Sequence, residues 1–268
     1  MCRWAAYIGE TTFLEEIVTA PCHSLIAQSH HALEAKTPTN GDGFGVAWYG
    51  SRAEPGLYRD ILPAWSDPNL KSLCRQISSP LFLAHVRAST GGATSRMNCH
   101  PFVSGNWSFM HNGQIGGFER LRRRLESAIS DDLYDRLEGT TDSELIFLLM
   151  YQEGLADDPL GATARAAGQV IDAAIASGVT PHLRLTAAFA DGERLHAVRY
   201  ATDQFAPTLY VGETRKTRGR CLVSEPFDRE GCDWQAIPPD SFVTVTAKAL
   251  TIMPFAPLLT SAVAALAG

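Results

Sequence analysis

Apolar and polar positions alternate in short runs at both ends of the chain and repeat at helical spacing between them. Residues 3–8 read as a buried strand, and Thr12 with Glu15 forms a capping box that predicts a helix directly after it. Asn40-Gly41-Asp42-Gly43 is a turn signal, and the aromatic, β-branched run at 44–49 predicts the next strand. Asp67-Pro68 is a helix-start pair, behind which Leu70, Leu73, Cys74 and Ile77 recur on one helical face. Strands are expected at 81–86 and 107–111.

A block of helices fills the middle. Phe118, Leu121, Leu125 and Ile129 mark one face of the first, with Arg120, Arg122, Arg123, Arg124 and Glu126 opposite. This charge run reads as a solvated face rather than an anion patch. Thr141 and Glu144 make a second capping box, and Asp158-Pro159 opens a further helix that stops near Gly178. Short strands return at 185–190, 195–200, 208–211, 221–224, 242–245 and 250–253. Strands, helices and strands again predict a layered α+β architecture, and no repeat or linker divides it.

Composition narrows the function. With 45% hydrophobic and 19% charged among 268 residues, the chain can bury a core, which excludes general disorder. Its 23 basic against 29 acidic residues leave a net charge of −6, which gives no surplus to neutralise a phosphate backbone. No basic leader precedes an apolar stretch at the N-terminus, and the apolar segment 256–268 is too short to cross a bilayer. A cytoplasmic protein with no membrane or nucleic-acid partner is expected. Cysteines at 2, 22, 74, 99, 221 and 232 form no C-x-x-C pair, which predicts reduced thiols. Cys22-His23 and His30-His31 match no tetrahedral ligand spacing, so neither a metal nor another cofactor is expected. Gly41, Gly43 and Gly45 precede a strand instead of joining a strand to a helix, and Thr90-Gly91-Gly92 lacks a phosphate loop's lysine.

Four polar groups stand where a core does not need them. Cys2 becomes the first residue if Met1 is trimmed, and its own α-amine, with an ordinary pKa of about 7.7–8.0, could then take the thiol proton. Arg87, followed by Ser89, Thr90 and two glycines, suits a carboxylate. Asn112-Gly113 at a strand end offers an amide and a backbone N–H that can converge on an oxyanion. Asp142, in the first turn of a helix, is stabilised as an anion and suited to an ammonium. Each taken singly is also compatible with a structural role.

Taken in order, Cys2, Asp42-Gly43-Phe44-Gly45, Arg87 with Ser89-Thr90-Gly91, Asn98-Cys99-His100-Pro101-Phe102, His111-Asn112-Gly113 and Thr141-Asp142-Ser143-Glu144 resemble the glutaminase domain of class II glutamine amidotransferases. That family is a branch of the N-terminal-nucleophile hydrolases, and Val223-Ser224-Glu225-Pro226 resembles its short, single-domain members. The resemblance implies a four-layer αββα sandwich of two antiparallel sheets over residues 1–255, with 256–268 as a frayed or docking tail. It implies Cys2 as nucleophile, Asn112 and Gly113 as oxyanion donors, and Arg87, Thr90, His100 and Asp142 as substrate contacts. The implied reaction is hydrolysis of the γ-amide of glutamine, or of another γ-glutamyl compound, through a γ-glutamyl thioester. A separate ammonia-accepting subunit is one implied partner; the alternative is a catalytically silent γ-glutamyl-binding or regulatory subunit of the same fold.

Overall fold

The first strand, β1 (Arg3–Phe13), runs through the middle of a seven-stranded sheet. The structure, a computed structural model, describes residues 2–34, 38–89, 93–214, 218–227 and 233–260, and strand counts refer to these. Antiparallel neighbours β4 (Ser78–Val86) and β10 (Gly219–Val223) flank β1. Beyond β4 lie β2 (Phe44–Trp48) and β3 (Gly56–Asp60); beyond β10 lie β9 (Tyr210–Thr214) and β11 (Gln235–Ala236). The second sheet has six strands. Their order is β13 (Leu250–Pro254), β12 (Ser241–Val245), β8 (Leu195–Ala201), β7 (Leu183–Ala190), β6 (Trp107–Ile115) and β5 (Phe102–Ser104).

Strand periodicity builds the layers. Trp4, Ala6 and Ile8 of β1 join Leu81, Leu83, Met110, Ala188 and Val243 in the core between the sheets. The intervening Ala5 and Tyr7 join Phe44, Phe82 and Ala84 beneath α1 (Glu15–Val18), α2 (Leu25–His30) and α3 (Pro68–Gln76). Across the molecule, Phe109, Leu185, Phe189 and Val198 pack under α4 (Phe118–Glu126), α5 (Asp131–Tyr134), α6 (Asp142–Gln152) and α7 (Pro159–Ala176). Helices, sheet, sheet and helices thus make the expected αββα sandwich. Because β1 is covered on both faces, its first six residues are all buried. No helix among the described residues is long and apolar enough to cross a membrane.

Several local expectations are corrected. The Thr12 helix start fails because β1 continues past a bulge, pairing Thr12 with Ser79 and Phe13 with Ser78. Helix α1 begins only at Glu15, and its N-cap Leu14 makes no side-chain cap. Asn112-Gly113 is not a turn: β6 continues through both to Ile115, held by β7 in the pairs Asn112–Thr186 and Gly113–Leu185. The Thr141 cap is made, with its Oγ1 accepting from Glu144 N at 3.2 Å, but the Glu144 carboxylate reaches past it to the backbone of Glu138 and Gly139. Strands β3 and β5 and helix α2 carry no periodic pattern long enough to announce them. The tail docks as far as it is described, with Leu258 N on Ala164 O at 2.9 Å and Thr260 N on Asp172 Oδ2 at 3.0 Å.

One glycine decides how closely the segment after β4 crosses β2. A Cβ on Gly45 would lie 2.3 Å from the His100 carbonyl oxygen, so only hydrogen fits there. Gly45→Ala is expected to lower the stability measured by denaturant unfolding by about 1–3 kcal/mol, the ordinary cost of overpacking. Gly50→Ala, where no atom lies within 4 Å of the added carbon, should stay within about 0.5 kcal/mol of wild type.

Candidate active site

The same alternation selects which side chains open between the sheets. Arg3 pairs with Val86, so the next step outward sets Cys2 opposite Arg87. Extended by two residues, the inward face of β1 that carries Trp4 reaches Cys2, and the inward face of β4 that carries Leu81 and Leu83 passes His85 and reaches Arg87. On β6, Met110 belongs to the same layer, so Asn112 faces it as well, while His111 turns toward α6. The ends of β4 and β6 are tied directly, His85 Nε2 donating to the His111 carbonyl at 3.3 Å.

Around Cys2 the contacts are few. Its half-buried sulfur accepts from Ala88 N at 3.4 Å and lies 3.6 Å from Ala88 O. Burial pushes the thiol pKa up, opposed by the Ala88 N–H and by the positive charges of Arg87 and Arg3. A protonated thiol at neutral pH needs a base before it can attack.

Arg87 is buried and held from one side. Its Nη1 donates to Asp42 O at 3.3 Å, its backbone N donates to Gly43 O at 2.8 Å, and its carbonyl accepts from Asp42 N at 3.0 Å. The Asp42 carboxylate then accepts from Ser89 N at 2.7 Å. Gly43 permits this approach with a φ of +116°, and a side chain there would strike Cys99 Sγ. The turn read from sequence is therefore also the bracket that orients Arg87. Thr90, expected beside Arg87, lies outside the described residues.

Asn112 is buried, and its Nδ2 has no hydrogen-bond partner among the described residues. Such an amide is costly unless something else completes it. The Ile115 N–H points off the edge of β6 that β5 leaves uncovered, where Asp142 Oδ2 accepts it at 2.8 Å. By alternation the Gly113 N–H points the same way. Gly113 admits no Cβ, which would overlap the Arg184 carbonyl. Asp142 stands at the start of α6, as expected, with Ser143 Oγ 3.3 Å from its Oδ1 and His111 Nδ1 2.9 Å from that hydroxyl.

His100 is buried, stacked on His85 at 4.2 Å between ring centroids, with neither ring nitrogen partnered among the described residues. It therefore sits beside the site but makes no bond there. Asn98, from the same motif, braces the loop before α6, its Oδ1 accepting Thr140 N at 2.8 Å. A cleft of about 480 Å³ opens nearby between Arg59, Phe102, Ser104, Arg136 and Phe147. None of Cys2, Arg87, Asn112 and Asp142 lines it. The motif that contains Asp42 points to this position but not to its carboxylate as the acceptor for Ser89 N. Nothing local flags the contact of His23 with Glu225.

Buried histidines set an acid limit. Burial lowers the pKa of His85 to about 3 and of His196 to about 4, and depresses His100 and His111 as well. The unfolded chain binds protons at these positions below about pH 6.5 while the folded one does not. Unfolding free energy should therefore be full above that pH and fall steadily toward pH 4. A flat urea-unfolding profile between pH 7 and pH 4 would contradict this.

Comparison with known proteins finds relatives along most of the chain. The sequence profile described as "Glutamine amidotransferases class-II" matches residues 12–210. The probable glutamine amidotransferase DUG3 of Saccharomyces cerevisiae is 34% identical over 95% of this chain and 84% of its own length. The structure of a glutamine aminotransferase class-II domain protein from Silicibacter pomeroyi superposes with a TM-score of 0.78 at 42% identity, covering 96% of this chain and all of that one. Glutamine phosphoribosylpyrophosphate amidotransferase from B. subtilis, at 15% identity and a TM-score of 0.61, covers 97% of this chain and 50% of its own, and shares the fold.

Proposed function

The chain belongs to the class II glutamine amidotransferases, which act on the amide of glutamine from an N-terminal-nucleophile fold, and we propose that Cys2, made the first residue by removal of Met1, is its nucleophile. The thiol attacks the side-chain carbonyl carbon of a γ-glutamyl donor. Its proton passes to the Cys2 α-amine and then to the departing nitrogen, which leaves as ammonia or an amine. Water cleaves the remaining γ-glutamyl thioester to glutamate and restores the thiol. A raised thiol pKa makes the neighbouring amine necessary, since no histidine contacts the sulfur among the described residues.

The unpartnered Asn112 amide, buried on the face that also bears Cys2, is the observation that carries this reading. With the Gly113 N–H it completes an oxyanion hole for the tetrahedral intermediate. Arg87 holds the α-carboxylate, assisted by Thr90, and Asp142 holds the α-ammonium, a two-point clamp that aims the γ-carbonyl at sulfur. His100 lines the pocket. Nothing in this clamp reads the leaving group, so glutamine and other γ-glutamyl compounds are both donors to test. We assign this domain to residues 1–255 and an apolar C-terminal tail to 256–268, with an ammonia-accepting or other protein subunit as one partner to test.

Release of glutamate from a panel of γ-glutamyl donors tests the assignment. Wild type should turn over at least one donor, and Cys2→Ala none; equal background from both would favour the silent-subunit alternative. Asn112→Ala is expected to lower kcat by about 10²–10³, the cost of one lost oxyanion donor. Arg87→Ala and Asp142→Ala should mainly raise KM. Intact mass of active protein should lack Met1, because an acylated Cys2 nitrogen is no base.

A further inference from the structure

Glu225 reaches the nucleophile's strand from the side away from Arg87. Its carboxylate is buried, yet it gathers groups from three separate segments. His23 Nε2 lies 2.6 Å from Oε1, Leu33 N donates to Oε1 at 2.9 Å, and Glu34 N donates to Oε2 at 3.0 Å. The Arg3 guanidinium stands 3.7 Å away, and Arg3 directly follows Cys2. Arg3 is itself fully buried, its two Nη atoms donating to Ser224 O and Glu34 O at 3.1 Å each. Ser224 then brackets Trp4, accepting Trp4 N on its Oγ at 2.9 Å and donating its own N to Trp4 O at 3.0 Å.

A buried Arg–Glu pair is a poor choice for stability, because desolvating both ions offsets their attraction and apolar residues of similar size do as well. What such a pair does supply is a fixed direction. Here that direction is imposed on the residue next to Cys2, just outside β1, where Ala88 is the one described residue hydrogen-bonded to the sulfur. We propose that Glu225 is a positioning residue for the nucleophile: acting through Arg3, it fixes how the thiol and α-amine of Cys2 lie in the pocket. The inference rests on the assignment of Cys2 above. Its charge matters as well as its shape. His23, Glu34, Tyr210 and Arg3 face the Glu225 carboxylate, while Arg3, Arg87 and Cys99 act on Cys2.

Glu225→Gln keeps the shape and removes the charge, leaving Arg3 uncompensated beside the α-ammonium. A nearby unbalanced cation favours loss of the ammonium proton, so the acid limb of kcat/KM should move to lower pH. Misplacement of the reacting pair should lower kcat about tenfold or more, with KM held because Arg87 and Asp142 are untouched. His23→Ala, which removes a partly exposed partner and leaves the core intact, should lower kcat in the same sense and to a smaller extent. A merely structural role would lower the melting temperature without moving the acid limb. Wild-type kcat and acid limb in Glu225→Gln, or a rise in KM at constant kcat, would overturn the proposal. If Glu225→Gln does not fold, unchanged kcat in His23→Ala overturns it instead. A wild type inactive on every donor takes down the Cys2 assignment and this inference together, whereas an active wild type with unaltered variants removes only the inference.

Discussion

The antiparallel pairing of β1 with β4 is the constraint on which the rest depends. It fixes Arg3 opposite Val86, and the two-residue period of the strand then decides the destination of every side chain outward from that pair. A slip of one residue would exchange the faces of Trp4 and Ala5, send Cys2 toward the helices and break both cores at once. The register is protected by that coupling. Trp4 and Tyr7, both fully buried, fill different layers and are not interchangeable in either.

Sandwiching β1 between two covered faces also explains why the proposed site lies at the strand ends. The interior face of β1 is apolar through Ile8, Ala6 and Trp4, and the inward faces of β1, β4 and β6 reach polar residues at Cys2, Arg87 and Asn112. Polar groups there are not self-satisfied: among the described residues the Asn112 Nδ2 and both His100 ring nitrogens lack partners, although each residue is buried. Folding tolerates such groups where a ligand or water completes them. The fully bonded Glu144 carboxylate, in the same region, marks the contrast with a purely structural acid.

Much of this was legible in the chain because the informative residues interrupt strong patterns. Asp67 and Asp158 announce their helices by capping them, and both caps are made. Arg87 and Asn112 stand out as polar residues at the ends of apolar runs. Thr12 misled because a capping box is a local signal, and it yields where the backbone goes on pairing with β4 through Thr12–Ser79 and Phe13–Ser78. The strand end expected at Asn112-Gly113 gave way to pairing too: the dipeptide is drawn straight by eight consecutive pairs with β7. Partnerships across long separations leave no local trace at all. His23 and Glu225 are 202 positions apart, and each looks ordinary among its own neighbours.

The surroundings of Cys2 follow from these contacts. A residue at the outer end of β1 takes its orientation from the residues that follow it. In this protein those residues are Arg3 and Trp4, and both are gripped by one segment, Ser224-Glu225, that arrives from the far end of the sequence. The opposite flank is gripped by Asp42 through Arg87 and Ser89. Cys2 is thus held between two brackets built from separate parts of the chain. Neither bracket is complete until β10 and β2 have joined β1 and β4, so the surroundings of Cys2 are a property of the finished sheet.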